Sequence, residues 1–212
     1  IETLKESGID IEGLHMHTST KTRSLQVFET LAHKAIEIVQ KYHLKVKYID
    51  IGGGFFGGQI ISGKPRMNQY AEIITNELKK GIDLKKTMVI LEPGASVVAT
   101  AVEYLTTVDN VRLVLDKRIV TVDGTILHIN PFMVERSPVM EVYCSGENRV
   151  KQQIICGATC MEKDVLGYLN EKKSLEIGDK ILFKNAGAYT TSLNGNFILN
   201  KPRIYIDEEK FV

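Results

Sequence analysis

Two hydrophobic rhythms alternate through the first hundred residues, and that alternation narrows the possible folds more than any single motif. Short apolar runs at 11–17, 46–51 and 87–91 have the length of strands and lie about 35 to 40 residues apart. Between them, residues 24–42 carry Leu25, Phe28, Leu31, Ala35, Ile36 and Val39 at three- and four-residue steps. Residues 68–80 do the same with Tyr70, Ile73, Ile74 and Leu78. Each set is the apolar face of a helix. Ser24 stands where an N-cap belongs, and Gly81 follows the second helix. Strand and helix alternating at this spacing predict parallel strands joined by helical crossovers. A (β/α)8 barrel needs eight strands and about 250 residues. Three strands make either an open sheet or part of a barrel.

The second half changes rhythm. Strand-like runs are expected at 97–108, 111–122, 152–157, 180–184 and 203–206. Asp123-Gly124, Ser145-Gly146 and Ile177-Gly178-Asp179 are turn signals between several of them. The expected organisation is therefore an α/β domain over 1–100 and a β-rich domain over 101–212. No internal repeat or low-complexity segment interrupts either.

Composition removes several function classes. A net charge of +1 creates no field to draw nucleic acid or an acidic membrane. No apolar run approaches the roughly 20 residues that span a bilayer; the longest, near 97–105, is broken by Glu103. Cys144, Cys156 and Cys160 are too sparse and too odd in number for a disulfide framework, which points to reduced thiols and a cytoplasmic setting. The chain starts at Ile1 without a signal-peptide pattern. The expectation is that part of the natural protein precedes it.

All three predicted strands end in residues that a strand has no use for. The first runs into His15, His17, Ser19 and Thr20, the second into Gly52-Gly53-Gly54, and the third into Glu92-Pro93-Gly94. In parallel α/β folds, ligands sit at that edge of the sheet. Glycines lack a Cβ, so their amides can come close to an anion such as phosphate. The same run also reads as a plain structural turn, since it matches neither a Walker loop nor a dinucleotide fingerprint. His15 and His17 share one face of a strand, but no further His or Cys stands at ligand spacing, so no metal site is expected. Glu92 is either a solvated loop carboxylate or the partner of a cationic nitrogen. Cys160, in "CGATCMEKDVL", is either a small buried apolar group or a proton-transferring thiol. Tyr189 follows Gly187-Ala188 and has a phenol to offer to a phosphate.

The segments "GLHMHTST", "IDIGGGF", "LEPGASVVATA", "CGATCMEKDVL" and "IGDKILFKNAGAYTTSLNGNFILNKP" together resemble the pyridoxal-phosphate-dependent amino-acid decarboxylases of the alanine-racemase-like fold, the diaminopimelate and ornithine decarboxylase family. The likeness covers nearly the whole chain. It implies the C-terminal part of a (β/α)8 TIM-type barrel followed by a β-rich barrel or sandwich domain. It also implies roles. His17 would lie over the pyridine ring and count with Cys160 among the catalytic residues. Gly52, Gly53, Gly54, Thr20 and Tyr189 would hold the phosphate, and Glu92 would pair with the ring nitrogen. Cys160 would act as an acid across a homodimer with shared active sites, and Asp123 and Met161 would face the amino-acid substrate.

The departures from that family are specific. Ala95 stands where the family usually has Arg, and Met161 where it usually has an acid after the cysteine, which argues against diaminopimelate and simple diamine precursors as substrates. Ser19-Thr20 replaces Gly-Ser. The lysine that holds the cofactor as a Schiff base has no match, since Lys34-Ala35 lies mid-helix. The expectation is that it lies upstream of Ile1, and that this portion alone is inactive. Two further readings accompany decarboxylation: a non-catalytic regulatory or binding relative, and a racemase or epimerase using the same cofactor.

Overall fold

The computed structural model describes residues 1–18, 23–57, 63–133 and 137–206. The chain divides into two compact units, Ile1–Val98 and Ala99–Val212.

In the first unit, α1 (Glu2–Glu6) precedes β1 (Gly13–His15), α2 (Leu25–Lys41), β2 (Tyr48–Asp50), α3 (Met67–Leu78), β3 (Met88–Ile90) and α4 (Ala95–Val98). The three strands lie in chain order and pair in parallel, with His15 level with Asp50 and Asp50 level with Ile90. All three therefore point their C-terminal ends to one edge. The apolar stripe of α2 buries Phe28, Ala32, Ala35 and Ile36, and that of α3 buries Tyr70, Ile74 and Leu78. Leu14, Ile49 and Val89, one from each strand, pack into the same core. Side chains alternate across a strand, so Tyr48 and Met88, one step away, stay exposed. Ser24 takes the extended N-cap conformation, but its side chain makes no capping bond. Lys34 lies on the exposed face of α2 and pairs with Glu37 at 2.6 Å.

An aromatic trio locks the loop after β2 onto the helices. Phe55 stacks on Phe28 at 4.5 Å between centroids, and Tyr70 meets both rings edge-on at 4.9 and 5.1 Å. All three are essentially fully buried. Each such pair adds about 0.5–1.5 kcal/mol beyond its buried area. The Tyr70 hydroxyl donates to the Arg23 carbonyl, so the trio also holds the segment entering α2.

The second unit begins with a 3-10 turn (Ala99–Ala101) and contains β4 (Tyr104–Val114), β5 (Lys117–Val122), a 3-10 turn (Ile126–His128), β6 (Met140–Tyr143), β7 (Arg149–Cys156), β8 (Val165–Lys173), β9 (Lys180–Phe183) and α5 (Thr190–Leu193). The strands form one sheet in the order β6-β9-β4-β5-β7-β8, antiparallel except for β5 with β7. Val120, Val122, Ile155, Leu166, Ile181 and Phe183 centre a second core.

Several expected strands are redrawn. Residues 97–101 are helical turns, not strand: Ser96 and Val97 donate to Pro93 and Gly94, and the Ser96 hydroxyl bonds Pro93 as well. These local bonds override the β-branched composition there. The expected break near residue 110 is a bulge within β4, and the chain reverses instead at Leu115-Asp116. β6 and β8 were not anticipated, and residues 203–206 form no strand. No described helix is long and apolar enough to cross a membrane.

Candidate functional site

The edge of the parallel sheet gathers the residues that end its three strands. The ladder continues past the strands, with Met16 donating to Asp50, Ile51 to Ile90 and Glu92 to Gly52, at 2.7, 3.0 and 2.9 Å. Glu92 is thereby set beside the glycine run, and its carboxylate lies 3.7 Å from His15 Nε2. The side chains of His15, His17 and Glu92 are exposed, and one ligand atom from each lies within 4.8 Å of the other two. The third donor is a carboxylate from another strand, which spacing along the chain does not reveal. Thr20, with Ser19, lies outside the described residues.

The glycines are required here by conformation and by space. Gly52 has φ +70°, and a Cβ on it would stand 2.6 Å from His17 Nδ1. A Cβ on Gly53 would meet the Glu92 carbonyl oxygen at 2.4 Å. Gly54 also has a positive φ, +95°. Among the described residues, two of the three amides have internal partners. Gly52 N–H donates to Asp50 Oδ1 at 2.8 Å, an Asx-type turn. Gly53 N–H donates to His17 Nδ1 at 3.2 Å. The first bond is half-buried and goes to a carboxylate, so it is the stronger. The second is exposed and long, and an anion can displace it. Because a backbone N–H only donates, Nδ1 must present its lone pair while that bond is made. Behind the glycines, Phe55 pegs the loop into the core.

The remaining predicted residues lie in the second unit. Cys160 is exposed on the loop between β7 and β8, and none of the three cysteines is in a disulfide. Next to it, Met161 packs against the apolar core. Asp123 follows β5, and its Oδ1 accepts from Thr107 N–H at 2.8 Å. Tyr189 has φ +66°, heads α5, and meets Phe132 edge-on at 5.2 Å. Burial pushes the Cys156 thiol up, with a smaller push from Asp164, in keeping with an inert packed cysteine.

Sequence reasoning passed over Asp164, which is 3% exposed and gathers the loops of this unit. Its Oδ1 accepts from Thr125 Oγ1 at 3.0 Å and Ile126 N–H at 2.6 Å. Its Oδ2 accepts from Thr159 N–H at 3.1 Å and Thr159 Oγ1 at 2.5 Å. Nearby, the Tyr104 hydroxyl and His128 Nδ1 are 2.7 Å apart. Burial raises the Tyr104 phenol and lowers His128, whose Nε2 is buried without a hydrogen-bond partner among the described residues. Nothing in the chain marked Asp164, because Thr125 and Ile126 lie in a segment well before it. A depression of about 940 Å³ lined by Ile129, Met140, Leu166 and Tyr168 holds none of the predicted residues. A smaller cleft of about 430 Å³ is lined by Arg112, Cys156, Thr159, Met161 and Asp164, against the Cys160 loop.

Residues 1–99 match the pyridoxal binding domain of the pyridoxal-dependent decarboxylases, and residues 70–187 match their C-terminal sheet domain. Diaminopimelate decarboxylase of Methanocaldococcus jannaschii is 26% identical over 216 residues, which are 96% of this chain and 48% of that protein. Antizyme inhibitor 2 of Xenopus laevis is 24% identical over 217 residues, 93% of this chain and 47% of the relative. The crystal structure of the Paramecium bursaria Chlorella virus arginine decarboxylase superposes with a TM-score of 0.77 at 20% identity, over 92% of this chain and 54% of that one. The last likeness carries the fold alone. The chain spans about half the length of the curated relatives it matches.

Proposed function

The chain belongs to the pyridoxal-dependent decarboxylases, and from that premise we propose that it is the C-terminal portion of an enzyme that decarboxylates an amino acid or amino-acid conjugate on pyridoxal phosphate. The first unit is then the last part of a (β/α)8 barrel, over about residues 1–100, and the second is the β-rich domain that completes the enzyme. The observation that carries this reading is the meeting of Gly53, His17 and Glu92 at one sheet edge, where a Cβ on Gly53 would strike the Glu92 carbonyl. That Cβ-free cradle, with an imidazole and a carboxylate beside it, fits a phosphate-bearing heterocycle.

When bound, pyridoxal phosphate supplies an electron sink for the pair left as CO2 departs. The chain's own residues divide the remaining work. Gly53 and Gly54 amides would hold the phosphate, with Gly52 shaping the turn and Thr20 and Tyr189 adding hydroxyls. His17 would give up Gly53 N–H and lie against the ring. Glu92 would pair with the ring nitrogen and keep its proton in place. Cys160 would supply a proton to the α-carbon across a homodimer interface. Asp123 and Met161 face the substrate, and the apolar Met161 at that position favours a substrate without a distal ammonium.

The test is to produce the full-length protein, add the cofactor and candidate amino acids, and measure CO2 release together with borohydride fixation of the cofactor on a single lysine. Release of CO2 and one labelled lysine upstream of Ile1 are expected. A protein that takes up no cofactor would overturn the reading. A second reading, a non-catalytic binding relative, draws on Ala95, Met161 and the likeness to a protein named as an antizyme inhibitor. It requires that the upstream sequence also lack the lysine.

A further inference from the structure

The carboxylate of Asp164 is buried with a donor pair on each oxygen, and the two pairs come from different loops. Burying a carboxylate is costly unless its lone pairs are filled. Here they are filled by the segment after Asp123-Gly124 on one side and by the segment that carries Cys160 on the other. The tie reaches both neighbours of the cysteine. Thr159 bonds Oδ2 through its N–H and its hydroxyl, and the same hydroxyl accepts from Met161 N–H at 3.4 Å. Ala158 N–H donates to the Gly124 carbonyl at 2.8 Å, and Gly157 N–H to the Asp164 carbonyl at 2.8 Å. A Cβ on Gly157 would stand 2.3 Å from both carboxylate oxygens, so the loop has been pared down to let the carboxylate in. Cys160 itself stays exposed between its two restrained neighbours.

From this geometry we propose that Asp164 is a positioning residue for Cys160, holding the cysteine backbone rigid and registering it against the Asp123 turn. The inference rests on the proton-donor role given to Cys160 above. Asparagine cannot replace the carboxylate here. Each oxygen faces one backbone N–H, Ile126 on one side and Thr159 on the other, and backbone N–H groups only donate. Whichever way an Asn side chain turned, its NH2 would confront one of them and leave a buried donor unpaired.

The test uses the full-length holoenzyme. Asp164→Asn is expected to lower kcat about 10- to 100-fold, the scale of a misplaced catalytic group, with KM unchanged within about twofold. The amides of Thr159 and Met161 are expected to exchange with solvent at least about tenfold faster. In a Cys160→Ala background, Asp164→Asn is expected to cost nothing more, because a loop without its thiol has nothing left to position. Thr159→Val removes the hydroxyl relay and carries the same test should Asp164→Asn fail to fold, and Thr159→Ser is expected to recover most of the lost kcat. The inference is overturned if Asp164→Asn keeps full kcat, if the two amides remain protected, or if its effect multiplies with that of Cys160→Ala. A fully active Cys160→Ala enzyme would instead overturn the role of the thiol, so the two failures are told apart.

Discussion

The sheet edge of the first unit and the cysteine loop of the second are built by opposite means. At the sheet edge, His15, His17 and Glu92 are exposed, their mutual contacts are long, and the close packing is between glycine backbone and its neighbours. Around Cys160, one buried carboxylate fills its lone pairs from two loops, while Cys160 itself stays exposed. The difference teaches where each region's order comes from. Exposed polar groups gain little from each other in water, so the order of the sheet edge rests on its backbone ladder and on the packing of its glycines. A buried charge tolerates no misplacement, so the loop is set in advance.

Measurements on the full-length protein test that contrast. The largest effect is expected from Glu92→Ala. If Glu92 pairs with the ring nitrogen as proposed, its removal should lower kcat by about 10²- to 10³-fold while the visible absorbance of bound cofactor persists, and a mutant with full kcat would end that electronic role. Next come two glycine substitutions with opposite signatures. Gly53→Val pushes a side chain into the Glu92 carbonyl and should weaken cofactor binding about 10- to 100-fold, whereas Gly157→Val displaces Asp164 and should reduce kcat with cofactor affinity retained. Equal loss of affinity in both would erase the distinction drawn between the regions.

A smaller effect concerns pH. Burial holds the folded-state value of His128 below its ordinary 6.5, against weaker pulls from Asp164 and Asp123. The unfolded chain then binds the proton more readily, so stability is present above about pH 6.5 and is lost as pH falls below it. Denaturant midpoints measured between pH 8 and 5 should show that decline, and His128→Gln should flatten it. The smallest effect is expected of Lys34→Ala: Lys34 is exposed and paired to Glu37, so borohydride should fix the cofactor as well as in the wild type.

Much of this was legible in the chain, for reasons that differ by region. The helices α2 and α3 announce themselves because Phe28, Ile36, Tyr70 and Leu78 recur with the helical period and nothing nearby competes. The segment after Glu92 was misread because its β-branched residues favour strand while Pro93, Gly94 and Ser96 close a turn through hydrogen bonds. The glycines signal a close approach of the backbone, which the structure shows toward His17 and Glu92, but the partners of their amides, Asp50 and His17, could not be seen. Asp164 was overlooked because its partners lie some 39 residues back, at Thr125, and on the far side of a turn.

The sequence alone determined the alternation of strand and helix, the family resemblance, and the residue types available at the strand ends, because these depend on local period and on the order of motifs. Tertiary structure alone decided which of those residues meet. Contacts such as His15 with Glu92, Gly53 with His17, and Asp164 with two loops are set by strand register and burial, and neither is encoded within any one segment.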